Sequence, residues 1–192
     1  MNAVYTFGTA DISNGSVLLT LTTNDPAGVC DAVGSTMTIT INTAPTITSN
    51  GNLSLNTSGN CFAAVSNGQL LAQVSTTGSP APSVTFSPVA GNFPVGTTTV
   101  TATAQNVCGT VQTTFDVIVT DNENPVISNC PGNINLNNDA GLCSAVATWT
   151  APTAADNCSI QSFTSTHNSG DAFTVGTTTV TYTATDVNGN TA

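Results

Sequence analysis

Apolar and polar side chains alternate with period two along several stretches of the chain. Val100, Ala102 and Ala104 alternate with Thr101 and Thr103, and Phe115, Val117 and Val119 alternate with Asp116, Ile118 and Thr120. Further on, Val180, Tyr182 and Ala184 alternate with Thr181, Thr183 and Thr185. Successive side chains of a strand point to opposite faces, so this pattern predicts strands with one buried face and one wetted face. Ahead of these, Val4–Phe7, Ser16–Thr23 and Ser35–Ile41 read as three more strands, with "ADISNG" a short turn, at most one helical turn, between the first two. No amphipathic helix is expected, because Gly, Pro and Asn interrupt every window long enough to hold one.

The alternation is embedded in a repeat. Phe93-Pro94-Val95-Gly96-Thr97-Thr98-Thr99-Val100-Thr101 returns as Phe173-Thr174-Val175-Gly176-Thr177-Thr178-Thr179-Val180-Thr181, an offset of 80 residues, and Pro45 and Pro125 are separated by the same offset. In each copy an aromatic anchor precedes a Gly turn that leads into a Thr-rich strand. Three segments follow: 1–43, the C-terminal half of an immunoglobulin-like repeat; 44–121, a complete sandwich; and 122–192, a sandwich lacking its last strand. The expected fold class is all-β, with tandem immunoglobulin-like β-sandwich modules in a linear array and the first and last incomplete.

Charge narrows the function. The 192 residues include ten Asp and Glu, a single His and no Lys or Arg. Neutralising phosphates needs cations, so nucleic acid is excluded as a partner and anionic membrane surfaces are disfavoured. Acid–base catalysis has almost no repertoire here. His167 lies in the polar stretch "STHNSGD", and Trp149, between Ala147 and Ala151, reads as core. No membrane insertion is expected, and no secretory leader is visible after Met1. The six cysteines form no CxxC pair and have one imidazole for company, which argues for disulfides in an oxidising compartment over zinc.

Three stretches, "DNENPVISNCPGNI", "GLCSAVATWTAPTAADNCSI" and "SGDAFTVGTTTVTYTATDVNGNTA", resemble the hyalin repeat (HYR) domain, closely over 122–192 and more loosely over 45–121. The half module, "ADISNGSVLLTLTTNDPAGVC", resembles repeats of giant Bacteroidota surface adhesins, including those of gliding motility exported by type IX secretion. The resemblance implies an extracellular, non-catalytic, adhesive stalk on a bacterial cell surface, with surface glycans or proteins and neighbouring repeats of its own chain as partners. The alternative is a filament subunit assembled by β-strand complementation, a homopolymer. The family pattern also implies the pairs Cys143–Cys158 and Cys61–Cys108, leaving Cys130 and Cys30 with partners outside the chain.

The stretch Val119-Thr120-Asp121-Asn122-Glu123-Asn124-Pro125 resembles the calcium-binding linker of cadherin repeats. Asp121 and Glu123 from this junction, with Asp156 and Asp186 from loops of the third module, form the candidate Ca²⁺ ligand set, since a hard cation gathers carboxylate and carbonyl oxygens. The same acids also read as ordinary turn residues. The corresponding junction, Ile41-Asn42-Thr43-Ala44-Pro45, has no acid, and no ion is expected there.

Overall fold

The computed structural model describes residues 5–22 and 34–192. Tyr5–Phe7 is not the expected strand. Residues 5–8 lack regular structure: Asp11 accepts from the Tyr5 hydroxyl at 2.7 Å and from the Gly8 N–H at 2.8 Å, tying them to a short helix, α1 (Thr9–Asn14), over the stretch expected to turn. The next two expected strands are present: β1 (Ser16–Thr22) and β2 (Gly34–Thr40) form an antiparallel pair from Ser16 opposite Thr40 to Thr22 opposite Gly34. Cys30 lies outside the described residues.

The chain continues through β3 (Thr43–Ser49), β4 (Leu53–Asn56), β5 (Phe62–Val65), a second helix α2 (Asn67–Ala72), β6 (Val74–Ser79), β7 (Ser83–Ser87) and β8 (Gly91–Pro94). The long strands β9 (Gly96–Asn106) and β10 (Gly109–Thr120) follow. The last set is β11 (Val126–Ser128), β12 (Ser144–Val146), β13 (Thr153–Ala155), β14 (Ile160–Ser165), β15 (Ala172–Thr174) and β16 (Tyr182–Asp186). One four-stranded sheet has the order β4-β10-β9-β7. The other strands pair as β3-β6, β5-β8, β11-β13, β12-β15 and β14-β16. The fold is all-β, of the immunoglobulin-like sandwich kind.

Two compact units divide the chain. The first comprises Met1–Leu53, Val65–Gly91 and Thr99–Asp116; the second comprises Ser54–Ala64, Asn92–Thr98 and Val117–Ala192. The units interleave in sequence because β9 and β10 each carry residues of both.

Within the first unit, alternation does what it predicts. Val100, Ala102 and Ala104 of β9 are wholly buried, and Phe115 of β10 packs edge-on to Phe86 with ring centres 6.3 Å apart. Helix α2, which hydrophobic patterning misses, starts with a capping box: the Gln69 N–H donates to the Ser66 Oγ, and the Ser66 N–H donates to the Gln69 Oε1. That cap offsets the marginal stability of a single turn and a half of helix and delivers Leu70 to the core, fully buried.

In the second unit the burial of Val117, Val119, Phe93 and Ala184 marks the core. The repeated glycine adopts positive φ in both copies, 111° at Gly96 and 133° at Gly176. A Cβ at either position would meet no atom within 4 Å, so backbone conformation alone demands glycine there. The strand that follows differs between copies. Residues 97–106 are strand throughout in β9, whereas 177–181 are not, and only Tyr182–Asp186 form β16. β9 is flanked by β7 and β10, while β16 pairs with β14 and, near its end, meets a short return of the chain through the Thr185–Thr191 bridge, so residues 177–181 have fewer ladder bonds to hold them extended.

Leu70→Ala is expected to cost about 2–5 kcal/mol in urea unfolding, since it opens a cavity at a fully buried site. Leu71→Ala, whose side chain is 42% exposed, is the control and should stay within about 0.5 kcal/mol.

Candidate functional site

Within the second unit, three loops converge: the one that follows β4, the segment between β10 and β11, and the one between β13 and β14. The Thr57 N–H donates to the Thr120 carbonyl at 3.0 Å, continuing the β4–β10 pairing to the edge of the loop. This brings the Thr57 hydroxyl to Asp121 Oδ1 at 2.8 Å, and both residues are 6% exposed. The Gly59 N–H donates to Glu123 Oε1 at 2.8 Å. From the third loop, the Cys158 N–H closes a turn on Asp156 Oδ2 at 2.9 Å.

Asn157 stands between these groups. Its Nδ2 lies 3.3 Å from Asp121 Oδ1, 3.3 Å from Glu123 Oε1 and 3.4 Å from the Asn60 carbonyl. An amide NH₂ has two protons, so three acceptors at such lengths are each weakly served. Among the described residues, three buried side-chain oxygens have no hydrogen-bond partner: Asp121 Oδ2, Asp156 Oδ1 and Asn157 Oδ1. Carboxylate oxygens of Asp121 and Asp156 lie within 4.8 Å of one another and of the Cys158 sulfur. Two of the four expected ligands are thus together, and Glu123 joins them through Asn157. The ligand set expected from sequence leaves out Asn157, although it sits directly between Asp156 and Cys158.

Asp186 is engaged differently. It is fully buried, and the backbone N–H groups of Asn188 and Asn190 donate to its Oδ1 at 2.9 and 2.8 Å, while Asn190 Nδ2 donates to its Oδ2 at 2.8 Å. Its carboxylate organises the turn after β16, and neither of its oxygens lacks a donor. Asn190 Nδ2 also donates to the Asp121 carbonyl at 3.3 Å, so the turn is tied to the junction by backbone. Burial pushes the Asp186 carboxyl up, but hydrogen bonds from the Asn190 side chain and from the backbone of Asn190, Asn188 and Gly189 outweigh it and hold the group below the usual aspartate range.

The cysteines pair otherwise than expected. A disulfide joins Cys61 to Cys158, 97 residues apart, and neither Cys61–Cys108 nor Cys143–Cys158 forms. Among the described cysteines Cys108, Cys130 and Cys143 are free and exposed. The strand pairing explains the correction. Cys108 lies in the turn between β9 and β10, with its N–H bonded to Asn106 Oδ1, among residues of the first unit. Cys143 precedes β12, which pairs with β15, whereas Cys158 precedes β14, which pairs with β16. The bridge instead links the two sequence repeats, immediately beside Asp156 and Asn157.

Trp149 is half-buried rather than enclosed. Its Nε1 donates to the Tyr182 hydroxyl at 2.6 Å, and its ring centre is 6.1 Å from that of Phe173. These rings line an open cavity of about 940 Å³, together with Ile127. His167 lies 5.2 Å from Phe173, with Nδ1 3.3 Å from its neighbour's hydroxyl, Thr166 Oγ1, and no carboxylate in contact among the described residues. Among the described residues, no helix is long and apolar enough to cross a membrane.

The HYR domain model matches residues 120–192. The curated relatives agree: Hyalin of Strongylocentrotus purpuratus is 38% identical over 103 residues, covering 51% of this chain and 9% of that protein. Hyalin of Lytechinus variegatus is 38% identical over 104 residues, covering 52% of this chain and 20% of that protein. The chain therefore spans only a fifth or less of the length of these relatives. No solved structure matches. The HYR segment thus contains β11 to β16, Asp121, Asp156, Asn157 and one end of the disulfide. A hyalin-like repeat with a disulfide points to an adhesive extracellular setting.

Cys61→Ser or Cys158→Ser should lower stability by about 2–5 kcal/mol, the range for removing a native bridge, read by urea unfolding under oxidising conditions. Cys108→Ser should change it little. A second outcome concerns pH. The Asp186 carboxyl has a folded value below its unfolded one, so its contribution is present above the ordinary aspartate range and is lost as pH falls through the folded value. Asp186→Asn should therefore destabilise the chain at neutral pH, and the gap from wild type should narrow on acidification, followed by denaturant midpoints across a pH series.

Proposed function

We propose that this chain is a non-catalytic stalk segment of a large secreted adhesin on a bacterial cell surface, of the kind used in gliding motility. Its job is mechanical: to hold binding elements away from the cell and to transmit load along a row of repeats. Surface glycans or proteins are its expected targets, engaged weakly along many repeats so that multivalency supplies the strength. The HYR match over 120–192 supports the adhesive class. The observation that carries the mechanical reading is the bridge between Cys61 and Cys158, which closes a loop over 97 residues of two consecutive repeats. The proposed modules are 1–43, 44–121 and 122–192, so the bridge crosses the junction between the second and the third.

A second reading is a filament subunit joined to further copies by β-strand addition. What favours it is the second edge of β16, which among the described residues is covered by a short return of the chain, through the Thr185–Thr191 bridge and the N–H···O bonds that Ala184 and Ala192 exchange at 2.9 and 3.0 Å. Size-exclusion chromatography and electron microscopy separate the two: a monodisperse monomer supports the stalk, and fibres of regular spacing support the filament.

Pulling on the termini tests the load-bearing role. Under oxidising conditions the bridge should withhold the segment it encloses, shortening the fully extended chain by about 3.3–3.6 Å for each enclosed residue, roughly 330 Å in total. Adding reductant should restore that length. An oxidised chain that extends to its full contour would refute the load-bearing role.

A further inference from the structure

We propose that Asp121, Asp156 and Asn157 form a calcium site, completed by Glu123 and the Asn60 carbonyl. The inference begins with the three buried oxygens that have no partner, Asp121 Oδ2, Asp156 Oδ1 and Asn157 Oδ1. Buried polar atoms are almost always satisfied, and a buried carboxylate is costly unless it is paired or bound to a metal. Asp121 is 6% exposed, so water does little for its second oxygen. All three oxygens belong to the same junction, where two carboxylates approach within 4.8 Å.

Nothing in the chain can neutralise them. There is no Lys or Arg, and the single imidazole, His167, faces Thr166 and Phe173. The donors that do reach the cluster are neutral: the Thr57 hydroxyl, the N–H groups of Gly59, Glu123 and Cys158, and the Asn157 amide. Each meets an oxygen already in use, Asp121 Oδ1, Glu123 Oε1 or Asp156 Oδ2. The unserved oxygens are therefore surplus acceptors, which is the condition a cation relieves.

The donor set selects the ion. The one sulfur at the cluster, Cys158 Sγ, is committed to the disulfide with Cys61, so no thiolate is offered and a zinc site is disfavoured. What is left is oxygen from carboxylates, a side-chain amide and a backbone carbonyl. Ca²⁺ accepts about six to eight such oxygens in irregular geometry, whereas Mg²⁺ demands a near-ideal octahedron and keeps much of its water. Three loops hold these groups, and the adjacent disulfide fixes one of those loops to another. Such a site is organised before the ion arrives and would lock the junction when it binds. Asp186, bound within its own turn, is not among the ligands.

The test uses the full disulfide-bonded chain, freed of metal with chelator. Isothermal titration with CaCl₂ should give one site per chain, with at least tenfold weaker binding of MgCl₂, and the unfolding temperature should rise with Ca²⁺. Asp156→Asn and Asp121→Asn should each weaken Ca²⁺ binding at least tenfold, while Asp116→Asn, in the first unit, should not alter it. Should Asp121→Asn fail to fold, Asp156→Asn decides. The site is refuted if a folded, oxidised chain shows no saturable heat and no thermal shift at millimolar Ca²⁺, if Asp156→Asn binds as wild type does, or if all three substitutions weaken binding equally. Equal affinity for Mg²⁺ would overturn the assignment to calcium. The stalk reading is measured separately, by extension under load without added metal, so either can fail alone.

Discussion

A chain with ten carboxylates and no lysine or arginine must meet every buried negative charge with dipoles or with something from outside. The two buried aspartates show how far dipoles go. Asp186 sits in a turn built around it, where Asn188 and Asn190 supply donors to both oxygens, and the carboxylate is stabilised although it is fully buried. Asp121 is almost as deeply buried, yet its donors converge on Oδ1 and leave Oδ2 bare. The same residue type in the same unit thus has opposite electrostatic outcomes, set by whether local backbone can wrap it. A turn closes on itself within four residues, whereas a junction between repeats must draw donors from distant loops.

The cores are thin for a related reason. Only 5% of residues are aromatic, and the fully buried inner positions of β9 are Val100, Ala102 and Ala104, small side chains that permit close layers but remove little apolar surface each. Aromatic rings supplement them in pairs, Phe86 against Phe115 in one unit and Trp149 near Phe173 in the other. With modest apolar burial, a covalent closure of 97 residues is a large fraction of what restrains the unfolded chain.

How much of this was legible depended on the range of the interaction. Period-two alternation located β9 and β10 because a strand's two faces are written in adjacent residues, and the recurring Gly96 and Gly176 marked turns whose positive φ only glycine tolerates cheaply. Helix α2 was equally local, since Ser66 and Gln69 have capping-box spacing, but the search for a long amphipathic stretch looked past a helix of six residues. Tyr5–Phe7 has a strand's composition and follows Asp11 instead, because two donors to one carboxylate outweigh a weak β preference. The disulfide was not legible. Pairing cysteines within each repeat assumes that a repeat is closed on itself, and Cys61 and Cys158 belong to different copies. Asn157 was hidden for the same reason, since its acceptors come from Asn60, Asp121 and Glu123.

The position of the bridge has a consequence for where load travels. Force applied to the ends of a chain follows the shortest covalent path, and between Cys61 and Cys158 that path is two side chains rather than 97 residues of backbone. Strands β5 to β13 lie wholly inside that interval, so β9 and β10, the longest strands among the described residues, are shielded from tension while the bridge is intact. The unshielded strands are β1 to β4 on one side and β14 to β16 on the other. Of these, β14 and β16 pair antiparallel through five aligned residue pairs, with a break in register near Ile160. Both ends of the bridge lie in the second unit, so a load on the chain crosses the junction beside it through the two sulfurs. Oxygen-rich loops that repel one another are a weak place to concentrate load unless they are clamped. Covalent sulfur on one side, with neutralisation of Asp121 and Asp156 on the other, would make that junction the stiffest part of the segment instead of its weakest.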